Sequence, residues 1–202
     1  MLIVGLTGGI GAGKSTVARL LEQRGAHIID VDTLGRSVIS SGGSAVRPVV
    51  SEFGESILDS SGAIDRAALS NIVFSNAREL RRLTAITHPA INDEILARLS
   101  EIARDRIVVL DMAVLVESNL GQIDEEHSYT LIMTVEAPLE LRIERAVNRG
   151  MQEAEVRRRM SLQADERTRR AAADYVFEND HSHASLEVQT DDAWEWLSGK
   201  NV

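Results

Sequence analysis

Five short apolar runs recur along the chain, each bounded by helical pattern: Leu2 to Leu6, His27 to Val31, Ile107 to Leu110, Leu131 to Val135 and Tyr175 to Phe177. Runs of this length between turn signals read as buried strands. Their alternation with helices calls for parallel strands joined by right-handed crossovers, so the expected fold is α/β, a five-stranded parallel sheet flanked by helices. The rhythm breaks once. From Thr33 to Asp105 apolar residues keep helical spacing, at Leu69, Ile72 and Val73, at Leu80, Leu83 and Ile86, and at Ile91, Ile95, Leu99 and Ile102. That interval is an inserted helical segment, with turns at Gly42, Gly43 and Asp59 to Gly62, and with Pro89 placed to open its last helix. After the fourth run, a helix from Pro138 carries Leu139, Ile143 and Val147 on its expected buried stripe and ends at Gly150. A second helical stretch spans Glu153 to Arg170. The expected organisation is one domain with a core of residues 1–32, 106–148 and 171–202, an insertion at 33–105 and a helical hairpin segment at 149–170.

Composition narrows the class. A chain of 202 residues with 44% hydrophobic side chains is long enough for a full core. The absence of cysteine excludes disulfides, thiolate metal sites and cysteine nucleophiles. No basic-then-apolar leader precedes the first strand, and no apolar run approaches the roughly 20 residues that span a bilayer, so a cytoplasmic protein without a membrane partner is expected. The net charge of −9 argues against a nucleic-acid partner, whose surface is broadly basic. Charge is uneven, however. Arg142 to Arg170 holds nine arginines against five acidic residues, a local +4 that leaves −13 for the remainder. Such asymmetry suits a small polyanion held at one site. It also suits a solvated arginine-rich helix face.

The chemistry starts in the first sixteen residues, where Gly8, Gly13, Lys14 and Ser15 complete the pattern GxxxxGK[ST] between a strand and a helix. Glycine fills four of the six positions from Gly8 to Gly13. A backbone wrapped round phosphate oxygens needs φ values that other residues resist, and a β-carbon blocks the approach. Successive amides and the positive end of the helix then face one anion. The expected nucleotide-binding set is Gly9, Gly11, Ala12, Gly13, Lys14, Ser15 and Thr16. Lysine usage supports it separately: of 22 basic residues only Lys14 and Lys200 are lysine, and a slim ammonium fits beside phosphates where a guanidinium would crowd the glycines.

Carboxylates fall at strand ends, where open α/β sheets bind ligands. Asp30 and Asp32 close the second run and would share a side if one strand ran through both. Asp111 closes the third, with Glu117 six residues on. In phosphate-loop enzymes the loop hydroxyl, here Ser15, binds magnesium directly and a nearby carboxylate such as Asp111 holds it through water. Asp30 also suits a helix cap, and Glu117 a loop ion pair. Arg142, Arg145 and Arg149 share a helix face. With the arginines of 149–170 they read as a lid over a transferring phosphoryl group, Arg145 and Arg149 being nearest the hinge.

With these residues in place, the chain resembles the dephospho-coenzyme A kinase family. GLTGGIGAGKST is similar to that family's cradle, IDVDTLGR at Ile29 to Arg36 to its segment after the second strand, and HPAI at His88 to Ile91 to its His-Pro motif. LDMAVLVE at Leu110 to Glu117 resembles D-x-P-L-L-x-E, with Ala113 and Val114 where the family has Pro and Leu. Arg145 with Arg149, Arg159 with Gln163, and ADYVFEN ending at Asn179 follow in the family's order, although Asp180 comes next where the family often has another residue and then Gly.

The resemblance implies a three-layer P-loop kinase fold with a helical substrate-binding insertion and a helical lid, and transfer of the γ-phosphate of ATP, with Mg²⁺, to the ribose 3′-hydroxyl of dephospho-coenzyme A. It implies Asp32 as the catalytic base, Lys14, Arg145 and Arg149 on the phosphates, and Asn179 on the nucleotide. Asp32, His88, Asp111 and Glu117 fall to the acceptor, His88 reading equally as a helix-start residue. A monomer or small homo-oligomer is expected. A nucleoside or nucleotide kinase could share the cradle, the strand-end carboxylate and the lid. A regulatory GTPase lacks support, since neither NKxD nor DxxG after the third strand occurs, and an intact Lys14, Ser15 and Asp32 argue against a module that only binds ATP.

Overall fold

A computed structural model of the chain describes residues 1–73, 76–180 and 182–200. Strand β1 (Leu2–Gly8) is the centre of a five-stranded sheet, between β3 (Ile107–Asp111) and β4 (Leu131–Glu136), with β2 (His27–Asp30) beyond β3 and β5 (Tyr175–Glu178) beyond β4. All four pairings are parallel. β3 is buried along its whole length, as expected of an Ile/Val/Leu run covered on both faces. The register sets Leu6 beside Asp111 and Gly8 beside Val135, so the carboxyl ends of β1, β3 and β4 form one edge. Helices α1 (Lys14–Gln23) and α9 (His183–Ser198) bury Val17, Leu21, Leu186 and Leu197 against Val4, Leu6, Met133 and Phe177.

Contacts divide the chain into two compact units, Met1–Asp30 with Glu101–Val202, and Val31–Ser100. The second unit contains α2 (Val31–Ser37), α3 (Val46–Phe53), a 3₁₀ turn at Glu55–Ile57, α4 (Arg66–Val73) and α5 (Ala77–Ser100). The turn read from Asp59 to Gly62 is present: Asp59 Oδ1 accepts the N–H groups of Ser61 and Ala63 below a Leu58–Ile64 bridge. Within this unit α5 packs on α2, α3 and α4 through a face that buries Thr87, Ile91, Ile95 and Leu99.

Pro89 corrects the sequence reading, because it opens no helix and lies inside the 24-residue α5. Its side chain is exposed while Thr87 and Ile91 on either side of it are buried, so packing holds the helix across the missing N–H. Proline in an exposed helix interior costs about 3 kcal/mol against alanine, and unfolded-chain entropy returns up to about 1 of it. Pro89→Ala is therefore expected to raise stability by about 2–3 kcal/mol in urea unfolding. A midpoint left unchanged or lowered would mean that the proline bend is required by the packing.

Three helices occupy the segment between β4 and β5: α6 (Leu139–Asn148), α7 (Glu153–Met160) and α8 (Glu166–Ala172). The single stretch expected from Glu153 to Arg170 is thus two helices, broken where Asp165 caps α8 by accepting the Thr168 N–H at 2.7 Å. α6 ends as expected, with Gly150 in the left-handed region at φ 94°. Its buried face differs from the expected one. Arg142, Ile143 and Ala146 face inward, whereas Leu139 and Val147 are 50% and 39% exposed. Apolar spacing placed the stripe over Leu139 and Val147, but the structure turns the helix so that Arg142 lies beneath the glycine loop.

Candidate active site

The loop after β1 contains two glycines that nothing else replaces at no cost. Gly11 has φ 78° and Gly13, the residue before α1, has φ 106°. A β-carbon on Gly11 would strike the Arg142 carbonyl, and one on Gly13 the Asn179 side-chain amide. Gly11→Ala combines a sparsely populated φ, costing about 1–3 kcal/mol, with a backbone clash that no rotamer relieves. We expect an unfolding free energy in urea lowered by at least that amount together with weakened ATP binding; an unchanged affinity by titration would mean that the arc tolerates reshaping. Ala12 is fully buried and its N–H goes to the Gly9 carbonyl at 2.9 Å, so it braces the loop from within.

Lys14 opens α1, and its Nζ reaches Asp111 Oδ1 at 2.5 Å. Asp111 is only 7% exposed, at the end of the neighbouring strand. The lysine is thus aimed along the loop by a carboxylate fixed in the sheet. Ser15 is exposed in the first turn of α1. The Ser15 hydroxyl, one residue after Lys14, and the Asp111 carboxylate that pairs with Lys14 are hard oxygen donors, a set that fits Mg²⁺, which takes one or two protein oxygens together with phosphate oxygens. Among the described residues no cluster of three or more His, Asp or Glu side chains forms an all-protein cage.

Beside the loop lies a cleft of about 360 Å³ lined by Gly13, Thr16, Arg145, Arg149, Asn179 and His183, among others. Arg145 and Arg149 therefore come together, on one side of the helix start. Arg145 Nη1 donates to the Asn179 carbonyl at 2.9 Å, and Asn179 Nδ2 donates to the Ala12 carbonyl at 2.7 Å. Asn179 is in turn held by its N–H on the Glu136 carbonyl at 2.8 Å. This residue ties β5 to the loop, a role its position in ADYVFEN does not reveal. His183 went unnoticed in the sequence; its only local signal is its place just after Ser182, which caps α9.

The other arginines of the hairpin do not gather at the loop. Arg157 pairs with Glu153, and Arg158 and Arg159 pair with Glu155, all on α7, with the three arginines exposed. Hydrogen bonds from Arg158 and then Arg159 lower the Glu155 carboxyl to about 2. Arg170 joins Glu178 and Glu166. Arg169, by contrast, is 2% exposed and makes two hydrogen bonds to Glu136, at 2.7 and 2.6 Å, while the Thr134 hydroxyl donates to the same carboxylate. Glu117 is exposed, and its Oε1 accepts the Ala164 N–H at 2.6 Å.

Two expected acceptor-side residues belong to the helical unit. Asp32 is half-exposed in the first turn of α2, because β2 stops at Asp30 and the strand does not run through both aspartates. His88 is half-buried within α5, where burial holds its imidazole below the ordinary value.

A parallel sheet of order β2-β3-β1-β4-β5, with a GxxxxGKS loop after its central strand and a lysine held by the next strand's aspartate, defines a P-loop kinase. Comparison with known proteins refines this. The family described as CoaE: Dephospho-CoA kinase matches residues 2–185. The dephospho-CoA kinase of Thermobifida fusca (strain YX) is 40% identical over 98% of this chain and 96% of its own. Among solved structures, TT1252 from Thermus thermophilus superposes with TM-score 0.81 at 32% identity, covering 97% of each chain. The dephospho-CoA kinase of Campylobacter jejuni shares the fold, with TM-score 0.66 at 21% identity over 99% of this chain and 98% of its own. The chain belongs to the dephospho-CoA kinase family.

Proposed function

We infer that this enzyme phosphorylates the ribose 3′-hydroxyl of dephospho-coenzyme A with ATP, the step that yields coenzyme A, and that Asp32 is its base. Family membership over nearly the whole chain carries the choice of acceptor. The transfer chemistry is supported by one observation above others, the ammonium of Lys14 held at the buried Asp111 beside the glycine loop.

In the proposed reaction the 3′-oxygen attacks the γ-phosphorus, the bond to the β,γ-bridging oxygen breaks, and ADP leaves. The hydroxyl proton passes to the Asp32 carboxylate. Backbone amides of Gly11, Gly13 and Ser15 and the ammonium of Lys14 hold the β- and γ-phosphates, and the guanidinium groups of Arg145 and Arg149 offset charge as it spreads over the phosphoryl oxygens. Ser15 and Asp111, the latter through water, would hold Mg²⁺, which would supply neutralisation of phosphate charge. The helical insertion, with His88, takes the pantetheine-bearing acceptor. Residues 149–170 act as a lid, and Glu117, which accepts the Ala164 N–H between α7 and α8, sets where that lid rests. We assign the enzyme to the cytoplasm.

Purified protein with Mg²⁺-ATP should release ADP with dephospho-coenzyme A and not with a panel of nucleosides and nucleoside monophosphates. Turnover confined to the panel would replace this reading with a nucleoside or nucleotide kinase.

A further inference from the structure

Ile10 sits in the middle of the glycine arc and is gripped on three sides by the segment that follows β4. Its N–H donates to Gln163 Oε1 at 3.0 Å, and its carbonyl accepts from Arg142 Nε at 3.0 Å. Its side chain packs on the small cluster of Ile143, Ala146 and Val156, with Met151 and Met160. The two hydrogen bonds fix the peptide planes on either side of Ile10, and hence the course of the chain from Gly9 to Gly11.

Each grip is anchored in turn. Gln163 is followed by Ala164, whose N–H goes to Glu117 at 2.6 Å and whose carbonyl accepts from Arg169 Nη1, the side chain locked onto Glu136 at the end of β4. Arg142 is 6% exposed and lies so close to Gly9 that a β-carbon there would strike the guanidinium. Burial chiefly, and then the positive Arg169, depress its basicity, while the Glu136 carboxylate opposes them. A buried cation is expensive unless paired or hydrogen-bonded. Here the hydrogen bond goes to the arc itself, where a leucine or methionine would have filled the space without touching it.

We propose that Arg142 and Gln163 are positioning residues for phosphoryl transfer: by clamping both peptide groups of Ile10 they hold the arc in its phosphate-binding shape, and they make that shape depend on docking of the α7 arm. The clamp explains why α6 buries an arginine and exposes two aliphatic residues. It also gives Gln163 a role independent of contact with either substrate.

The inference rests on the reading that this loop holds the phosphates of ATP. It is tested in the full chain with Gln163→Leu, which removes the acceptor, Gln163→Glu, which keeps an acceptor oxygen at the same reach, and Arg142→Met. Steady-state kinetics, residue-level amide exchange of the ATP-free protein and urea midpoints are measured together. Losing one such hydrogen bond is expected to raise KM for ATP about tenfold, equivalent to about 1.4 kcal/mol, with KM for dephospho-coenzyme A unchanged. Exchange at Ile10 and Ala12, whose N–H groups are hydrogen-bonded within the clamped arc, should accelerate while β3 and β4 stay protected, and Gln163→Glu should return it to the starting rate. Should Arg142→Met fail to fold, the half-buried Gln163 pair carries the test. An unchanged KM for ATP in Gln163→Leu, exchange rising equally through β3 and β4, or no recovery in Gln163→Glu would each overturn the proposal. Defective ATP binding in Lys14→Ala beside an unaffected Gln163→Leu would remove the coupling alone, whereas unaffected binding in both would remove the cradle reading beneath it.

Discussion

Asp32→Asn is expected to lower kcat for dephospho-coenzyme A by about 10²–10⁴-fold, the range a positioned general base contributes, while the ATP dissociation constant changes by no more than a few fold. The substitution is nearly isosteric and the residue is half-exposed in the first turn of α2, so the fold has little reason to respond. What changes is the proton acceptor. An amide oxygen still orients the hydroxyl but takes up no proton at neutral pH, so the loss should fall on kcat more than on KM for the acceptor. Isothermal titration with ATP and single-turnover kinetics separate the two. A fall in ATP affinity by orders of magnitude would assign Asp32 to the metal and phosphates instead.

Lys14→Ala carries the second large effect. Removing a charge aimed at developing negative charge costs on the order of 10²–10³ in kcat, as for other preorganised donors, and ATP affinity should fall with it. Stability should fall as well, because Asp111, 7% exposed at the end of β3, loses its ammonium partner. Breaking a fully buried pair costs about 3–5 kcal/mol; with side chains 14% and 10% exposed, this pair belongs at or below the lower end of that range. The double variant Lys14→Ala/Asp111→Asn should regain much of the stability and none of the turnover. Near-normal turnover in Lys14→Ala would count against the cradle. A double variant no more stable than Lys14→Ala would show that the pair is not what holds that strand end.

Local features of this site are legible without coordinates. GGIGAGKS can be read because its function is a property of contiguous backbone: the φ values of Gly11 and Gly13 and the helix start at Lys14 are consequences of neighbouring residues. The three central strands β1, β3 and β4 are legible for a similar reason, since a parallel strand covered on both faces must be apolar nearly throughout. α9 went unread, although Leu186, Thr190, Ala193 and Leu197 form its buried face. A threonine in that stripe, its hydroxyl turned back to the Leu186 carbonyl, interrupts the apolar signal.

Residues whose partners lie far away along the chain are another matter. Arg142, Arg145 and Arg149 form one helix face in the sequence and have three surroundings in the fold: the Ile10 carbonyl, the Asn179 carbonyl, and the cleft beside Gly13. Arg169 and Arg170 are adjacent, yet one is locked inside on Glu136 and the other lies on the surface with Glu178. Charge counting leaves the group between a polyanion site and a solvated helix face, with Arg145 and Arg149 singled out as nearest the hinge, and the structure places those two along the cleft.

Residue order alone therefore establishes a parallel α/β sheet, a phosphate cradle at the end of its first strand, and carboxylates at the strand ends, because backbone conformation and strand burial follow from neighbouring residues. Tertiary structure alone assigns Lys14 to Asp111, Asn179 to Ala12, and Ile10 to Gln163 and Arg142, the last two contacts spanning 153 and 132 residues. The reason is physical. A guanidinium or amide on a long, flexible stem takes whatever partner the folded chain brings within reach, and spacing along the sequence carries no record of that choice.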